Sequence, residues 1–231
     1  MTKQVIIVAG GKGARMGSEL PKQFLSLGGQ PVLMRTIEAF LRYQQSVEIM
    51  VVLPETQRDC WQELCHRYDF HVPHQVVSGG ETRFHSVRNG LNALPAALDE
   101  TRTLVAIHDG VRPLVTETAI RQCFEAAEKQ GCAYPVIPVE DTLREKRTDG
   151  SVWVDRNRYF LVQTPQVFRL EIIKKAYRQA YSSRFTDDVS VVEALGEIRP
   201  CEVAGDRLNI KITTPADLVL AEKLLQLQHW I

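Results

Sequence analysis

Apolar positions along this chain fall into short runs of Val, Ile and Leu, separated by stretches in which apolar residues recur every three or four positions. The runs predict strands near 4–9, 48–53, 74–77, 104–108, 133–138, 198–203 and 209–213. Helical periods between them predict helices over 32–43 after Pro31, 57–67, 83–94, 116–129 behind Thr116, 170–181, 186–195, and 215–226 behind Thr214-Pro215. Strand alternating with helix argues an α/β fold, a mostly parallel sheet covered on both faces, with ligands bound at the carboxyl ends of the strands.

The rhythm fails between 139 and 163. Charged, β-prone sequence from Glu140 to Arg147, then Ser151-Val152-Trp153-Val154, flanks the turn Asp149-Gly150, which predicts a projecting β-arm. Two strands alone in water are marginal. Trp153 and its valine neighbours therefore either pack on a partner subunit, the reading adopted for this arm, or fold over their own domain. Residues 1–231 otherwise read as one domain, without repeats or a linker.

Composition narrows the class. A hydrophobic share of 44% with 24% charged residues is ordinary for a globular chain. Lys plus Arg (28) balance Asp plus Glu (28), so attachment to nucleic acid or to an anionic membrane is not expected, and any anion site must be local. No run approaches the ~20 apolar residues of a membrane span, and no signal-peptide pattern is present; a cytoplasmic location is expected. Five irregularly spaced cysteines fit reduced thiols. Cys60, Cys65, His66, His71 and His74 crowd together without zinc-ligand spacing, and an amphipathic helix followed by a loop accounts for them.

The candidate chemistry begins at Val8-Ala9-Gly10-Gly11-Lys12-Gly13-Ala14-Arg15-Met16 and closes on Lys22. Glycines leave backbone N–H groups open to an anion, the preceding apolar strand delivers the loop, and Arg15 and Lys22 add fixed charge. The spacing matches neither a P-loop nor, with Met16 in the third glycine's place, a dinucleotide fingerprint. Gly79-Gly80-Glu81 opens a second strand-to-helix junction, with Ser86 one turn into the helix. His108-Asp109-Gly110-Val111-Arg112 puts an acid and a cation at a strand end, where Asp109 suits a cation or a sugar hydroxyl, or serves as a turn residue, and His108 suits packing. Lys211, in a strand-like run, is a candidate anion clamp or a solvated lysine.

Taken together, Ala9-Gly10-Gly11-x-Gly13-x-Arg15-Met16, Pro21-Lys22-Gln23-Phe24, Gly79-Gly80, His108-Asp109-Gly110-Val111-Arg112-Pro113, Val154-Asp155-Arg156-Asn157, Gln163-Thr164-Pro165-Gln166, Thr186-Asp187 and Asn209-Ile210-Lys211 resemble the 2-C-methyl-D-erythritol 4-phosphate cytidylyltransferases of the non-mevalonate isoprenoid pathway. The resemblance spans nearly the whole chain. It implies a three-layer Rossmann-like nucleotidyltransferase fold that dimerises through the arm, and transfer of CMP from CTP to the polyol phosphate with Mg²⁺ or another divalent cation. It implies that Arg15 and Lys22 stabilise the transition state at the α-phosphate, while Lys211 and a neighbouring subunit's Arg156 position the phosphate of the acceptor. Ala9, Gly10, Gly11, Gly13, Gly79, Gly80, Glu81 and Ser86 would form the cytidine and triphosphate pocket. Asp109, Arg112, Thr142, Thr164 and Thr186 would surround the second substrate, with Asp109 holding the metal through water.

Two departures point to the sister ribitol-5-phosphate cytidylyltransferases: Gly10, where the erythritol family more often has Ala, and Gly110-Val111, where Ala-Ala is usual. Asp155-Arg156-Asn157 matches the erythritol pattern, and methylerythritol phosphate is the favoured acceptor. A nucleotide-binding module without turnover is the alternative from another class.

Overall fold

The structure, a computed structural model, describes residues 1–11 and 20–228. In chain order its elements are β1 (Thr2–Val8), β2 (Ser26–Leu27), β3 (Gln30–Pro31), α1 (Val32–Tyr43), β4 (Glu48–Leu53), α2 (Arg58–Arg67), β5 (Gln75–Ser78), α3 (Arg83–Ala93), β6 (Thr103–Asp109), α4 (Glu117–Gln130), β7 (Cys132–Pro138), β8 (Leu143–Arg147), β9 (Gly150–Val154), β10 (Phe160–Val162), β11 (Gln166–Arg169), α5 (Leu170–Ala176), α6 (Asp188–Glu193), β12 (Cys201–Ala204) and α7 (Pro215–Gln228).

Hydrogen bonds order the main sheet β10-β7-β11-β6-β1-β4-β5, with β12 added on β7. β6, β1, β4 and β5 are mutually parallel, whereas β11 enters antiparallel between β6 and β7. Val5, Ile6 and Ile7 of β1 are all fully buried, which is why this strand reads as a continuous apolar run. Val5 and Ile7 pack under α1, α2 and α4 through Leu33, Phe40, Trp61 and Phe124. Ile6 meets α3, α5 and α6 through Val87, Leu91, Ile173 and Val192. A third cluster seats α7 on Leu27, Val32, Val111 and Ile212, which brings this last helix to the strands' carboxyl edge.

Local signals place the helix ends. Thr116 caps α4 by accepting from the Ala119 N–H, and Gly131 closes the helix in the left-handed region at φ +84°. Among the described residues β8 and β9 pair only with each other, from Leu143↔Val154 to Arg147↔Gly150, so the arm stands off the sheet. Trp153 on it is 65% exposed, and Tyr159, Phe160 and Leu161 at its base are exposed too.

The expected strand at 209–213 is a loop. Its polar backbone is satisfied off the sheet, by Ile212 N–H donating to the Val111 carbonyl and by the Asp217 carboxylate accepting from the Thr213 and Thr214 N–H groups. The helix expected over 170–181 stops at Ala176, that over 186–195 shortens to α6, and the strand near 198–203 shifts to β12. β10 and β11 are too short, and too close to Pro165, to stand out as apolar runs.

Helix α3 packs tightly on the sheet at Gly90, where a Cβ would stand 2.9 Å from Ile6 Cγ2 and 3.1 Å from Val52 Cγ2. Gly90→Leu is expected to lower stability by about 1–3 kcal/mol, read as a lower urea midpoint at unchanged m. A midpoint equal to that of the parent protein would show that this contact can relax.

Candidate active site

The order β5-β4-β1-β6 reverses direction at β1 and β6, and such a switch point leaves a crevice at the carboxyl ends of the two strands. A cleft of about 250 Å³ opens there, lined by Ala9, Gly10 and Gly11 after β1, by Lys22, by Gly80, Glu81, Arg83 and Ser86 around the start of α3, by Asp109 at the end of β6, and by Lys211. Lys22 begins a short 3-10 turn, Lys22–Phe24, and its Cε lies 3.4 Å from where a Cβ on Gly11 would be. The neighbouring Gln23 fixes this turn by donating to the Ala9 carbonyl at 2.7 Å and to Gln57 Oε1 at 2.6 Å.

Opposite, three cations share one carboxylate. Lys211 Nζ is 2.9 Å and Arg112 Nε 3.3 Å from Asp109 Oδ2, and Arg83 Nε is 3.6 Å from Oδ1. Burial works to raise the Asp109 pKa, but Arg83, Lys211 and Arg112 outweigh it and hold the carboxyl well below its usual range. Arg83 is in turn gripped by the fully buried Asp188 through two bonds of 2.8 and 2.7 Å. Burial opposes the guanidinium's charge, and the Asp188 carboxylate overcomes it and keeps Arg83 above its ordinary value.

A hydrogen-bond chain behind Asp109 has one consistent polarity. The Asp109 N–H donates to Thr164 Oγ1 at 3.1 Å, so the Thr164 hydroxyl is free to donate to His108 Nδ1 at 3.0 Å. His108 Nε2–H then donates to the Arg112 carbonyl at 3.1 Å. The imidazole is thus neutral and fixed in one tautomer, and burial pushes its pKa down to about 4. It orients the turn that carries Asp109 and Arg112, consistent with a packing role.

Other expected residues lie elsewhere. Gly79 sits beneath the cleft with its N–H on the Leu53 carbonyl at 2.7 Å, and Arg112 and Thr164 stand behind Asp109. Thr142 is exposed at the root of the arm, Arg156 at its base donates to the Glu140 carbonyl, and Thr186 is exposed ahead of α6. None of these three lines the cleft within this chain. Gly13 and Arg15 fall outside the described residues. Of the crowded cysteines and histidines, His74 is bound to Trp61 and to the Val72 carbonyl, and His71 to Asp69.

The profile of the 2-C-methyl-D-erythritol 4-phosphate cytidylyltransferase family matches residues 3–227. The chain belongs to this family. It is an α/β nucleotidyltransferase. The enzyme of that name from Phocaeicola vulgatus is 53% identical over 225 residues, 97% of this chain and 100% of that one. The one from Bacteroides thetaiotaomicron is 54% identical over 226 residues, with the same coverage. Among solved structures, the cytidylyltransferase from Thermus thermophilus superposes with a TM-score of 0.78 at 34% identity, covering 98% of this chain and 100% of its own. The 4-diphosphocytidyl-2C-methyl-D-erythritol synthase from Anaerococcus prevotii gives 0.81 at 28%, covering 97% and 96%.

Sequence reasoning assigned no role to Arg83, Asp188 or Gln23. A signal for Arg83 existed: an arginine in the first turn of α3 opposes the helix dipole, so its placement calls for a nearby anion. Asp188 carried no such signal, because its partner is distant in sequence.

Because the folded protein refuses a proton at His108 until about pH 4 whereas the unfolded chain accepts one near 6.5, stability falls as pH drops through that window. The loss attributable to His108 approaches about 3 kcal/mol across the window. In urea titrations between pH 7 and 4.5, His108→Gln is expected to flatten the slope. An unchanged slope would show that the imidazole is not held neutral.

Proposed function

We propose that this cleft transfers CMP from CTP to 2-C-methyl-D-erythritol 4-phosphate and releases pyrophosphate, with the two substrates meeting between the glycine loop and Asp109. The observation that carries the reading is the convergence of Ala9, Gly10, Gly11, Lys22, Gly80 and Ser86 on one wall with Asp109 and Lys211 on the other. The open backbone of the first wall suits a nucleoside triphosphate, with Gly79 beneath it and Glu81 at its edge, and the family motif assigns Gly13 to the same role. The second wall suits a phosphate beside hydroxyls: Lys211 takes the phosphate, Asp109 accepts from the polyol, and Arg112 and Thr164 hold Asp109 in place.

A phosphate monoester is mostly dianionic near neutral pH, so it needs no protein base. Its oxygen attacks the α-phosphorus in line, the bond to the β-phosphate bridging oxygen breaks, and pyrophosphate leaves with that oxygen's electrons. Charge builds on the α-phosphate oxygens and the bridge, where Lys22, with Arg15 as the family motif assigns it, supplies counter-charge. Arg156 and Thr142, both carried by the arm, reach the acceptor only if a second copy lays its arm across the cleft, and the exposed Thr186 ahead of α6 would face the acceptor only from the neighbouring copy as well. The exposed apolar face of Trp153, Tyr159, Phe160 and Leu161 supports such a homodimer.

A divalent cation accompanies a nucleoside triphosphate in this reading, but the protein offers it no ready ligand set. Both Asp109 oxygens already face cations, and among the described residues no three acidic, histidine or cysteine side chains converge. The reading therefore leaves metal ligation to the phosphates and gives Asp109 no metal. The five free thiols fit a cytoplasmic setting.

The departures towards the ribitol enzymes have packing explanations. At Gly10 a Cβ would meet Pro54 and Ser86 only at 3.9–4.0 Å, so the surrounding protein has room for alanine there. At Gly110 a Cβ would come within 2.8 Å of Ala9 Cβ and 3.2 Å of Leu33 Cδ1, so glycine answers to its neighbours rather than to substrate. Neither favours ribitol phosphate.

Lys22→Ala is expected to lower kcat by about 10²–10³-fold, with CTP affinity weakened far less; equal losses in both would contradict a transition-state role. Mixing inactive Arg156→Ala and Lys22→Ala proteins is expected to restore part of the pyrophosphate release, because some mixed dimers hold one intact site. If mixing restores nothing although mixed dimers form, Arg156 does not serve a neighbour's site.

A further inference from the structure

Three cations surround Asp109, and they are not equivalent. Arg112 is 12% exposed and is tied a second time by its Nη1 bond of 2.7 Å to the Asn209 carbonyl. Arg83 is tied a second time by the bidentate grip of Asp188. Lys211 is 42% exposed and has Asp109 as its one ion-pair partner among the described residues. Two of the cations are thus fixtures, and the third is free to leave.

Asp188 is itself held from three sides. Tyr177 Oη donates to its Oδ1 at 2.6 Å, Gln166 Oε1 accepts from the Asp188 and Val189 N–H groups at 3.0 and 2.9 Å, and Asp187 caps the same helix by accepting from the Ser190 N–H. The carboxylate sits in the layer of α5 and α6, yet both its oxygens point at an arginine of the cleft wall. Arg83's Nη atoms are committed to Asp188, which leaves its Nε edge towards Asp109. Such an arginine is poorly placed to follow a substrate and well placed to stand as a permanent counter-charge.

We propose that Asp188 is a positioning residue for the transfer reaction: by locking Arg83 against Asp109 it keeps that carboxylate neutralised, so that Lys211 can release it and move onto the phosphate of the acceptor. This rests on the cytidylyl-transfer reading and extends it to a residue outside the cleft. When Arg83 is loosened, Asp109 competes with the acceptor phosphate for Lys211. The defect then falls on the acceptor and not on CTP, whose wall is built from the glycine loop and Ser86.

The test measures steady-state pyrophosphate release with CTP and methylerythritol phosphate, together with calorimetric CTP binding, for the parent enzyme, Asp188→Asn, Arg83→Lys and Tyr177→Phe. Asp188→Asn is expected to raise KM for methylerythritol phosphate at least about tenfold and to lower kcat, with the Kd for CTP within about threefold of the parent. Arg83→Lys should do the same, and the double variant should be no worse than either single one. Equal weakening of CTP binding, an unchanged acceptor KM, or additive losses would overturn the proposal. If Asp188→Asn does not fold, Tyr177→Phe, which keeps its ring on Phe84, decides: a raised acceptor KM at constant CTP affinity supports the proposal, and unchanged constants overturn it. A parent enzyme without turnover on methylerythritol phosphate would remove the substrate reading itself, and the proposal with it. A fully active parent with an unaffected Asp188→Asn variant removes only the proposal.

Discussion

The structure is organised around a carboxylate that burial alone would discharge. Asp109 stands at the end of β6, nearly enclosed, and remains ionised only because cations from three separate parts of the chain meet at it. Arg83 comes from the start of α3, Arg112 from the turn after β6, and Lys211 from the loop before α7. Each is delivered by a different packing event: Gly90 lets α3 press on the sheet, the His108–Thr164 chain shapes the turn, and the third cluster docks the C-terminal helix. Loss of any one packing event would leave an under-compensated charge at the switch point, so folding and the assembly of the site are one problem.

That arrangement divides labour between the two walls of the cleft. The nucleotide wall is mostly backbone, with glycines and one buried lysine, and owes its shape to the ends of β1 and β5 and to the Gln23 bonds. The acceptor wall is all side chain and charge. Backbone is rigid and suits a constant ligand group such as a triphosphate, whereas a lysine on a loop can change partner within a catalytic cycle. The chemistry asks for both, because the acceptor phosphate must be held close to a highly charged donor without repelling it.

Much of this was legible in the sequence, and for identifiable reasons. The core strands and helices stood out because burial on both faces of a parallel sheet forces uninterrupted Val-Ile-Leu runs, as in Val5-Ile6-Ile7. The arm stood out because its charged pattern broke that rhythm. Most of the cleft's lining was visible too, since glycine pairs and a strand-end acid leave local traces. The segment around Lys211 misled, because an apolar-polar alternation that packs against Val111 and α7 looks the same as one that joins a sheet. The Arg83–Asp188 pair was hidden for a different cause: its partners are 105 residues apart, and the one local trace, an arginine in the first turn of α3, does not say which anion answers it.

Gly110 carries a consequence for how this chain can change. Its missing Cβ is space already taken by Ala9, Ile7 and Leu33, so alanine cannot enter without those neighbours yielding. The effect of one substitution is therefore conditional on the background in which it occurs. The tightest of these contacts is the Ala9 Cβ at 2.8 Å, so the backbone that carries Ala9 has to shift before alanine fits at 110. Replacing Gly110 alone would therefore report on the packing beneath the glycine loop, and not on which acceptor the site recognises.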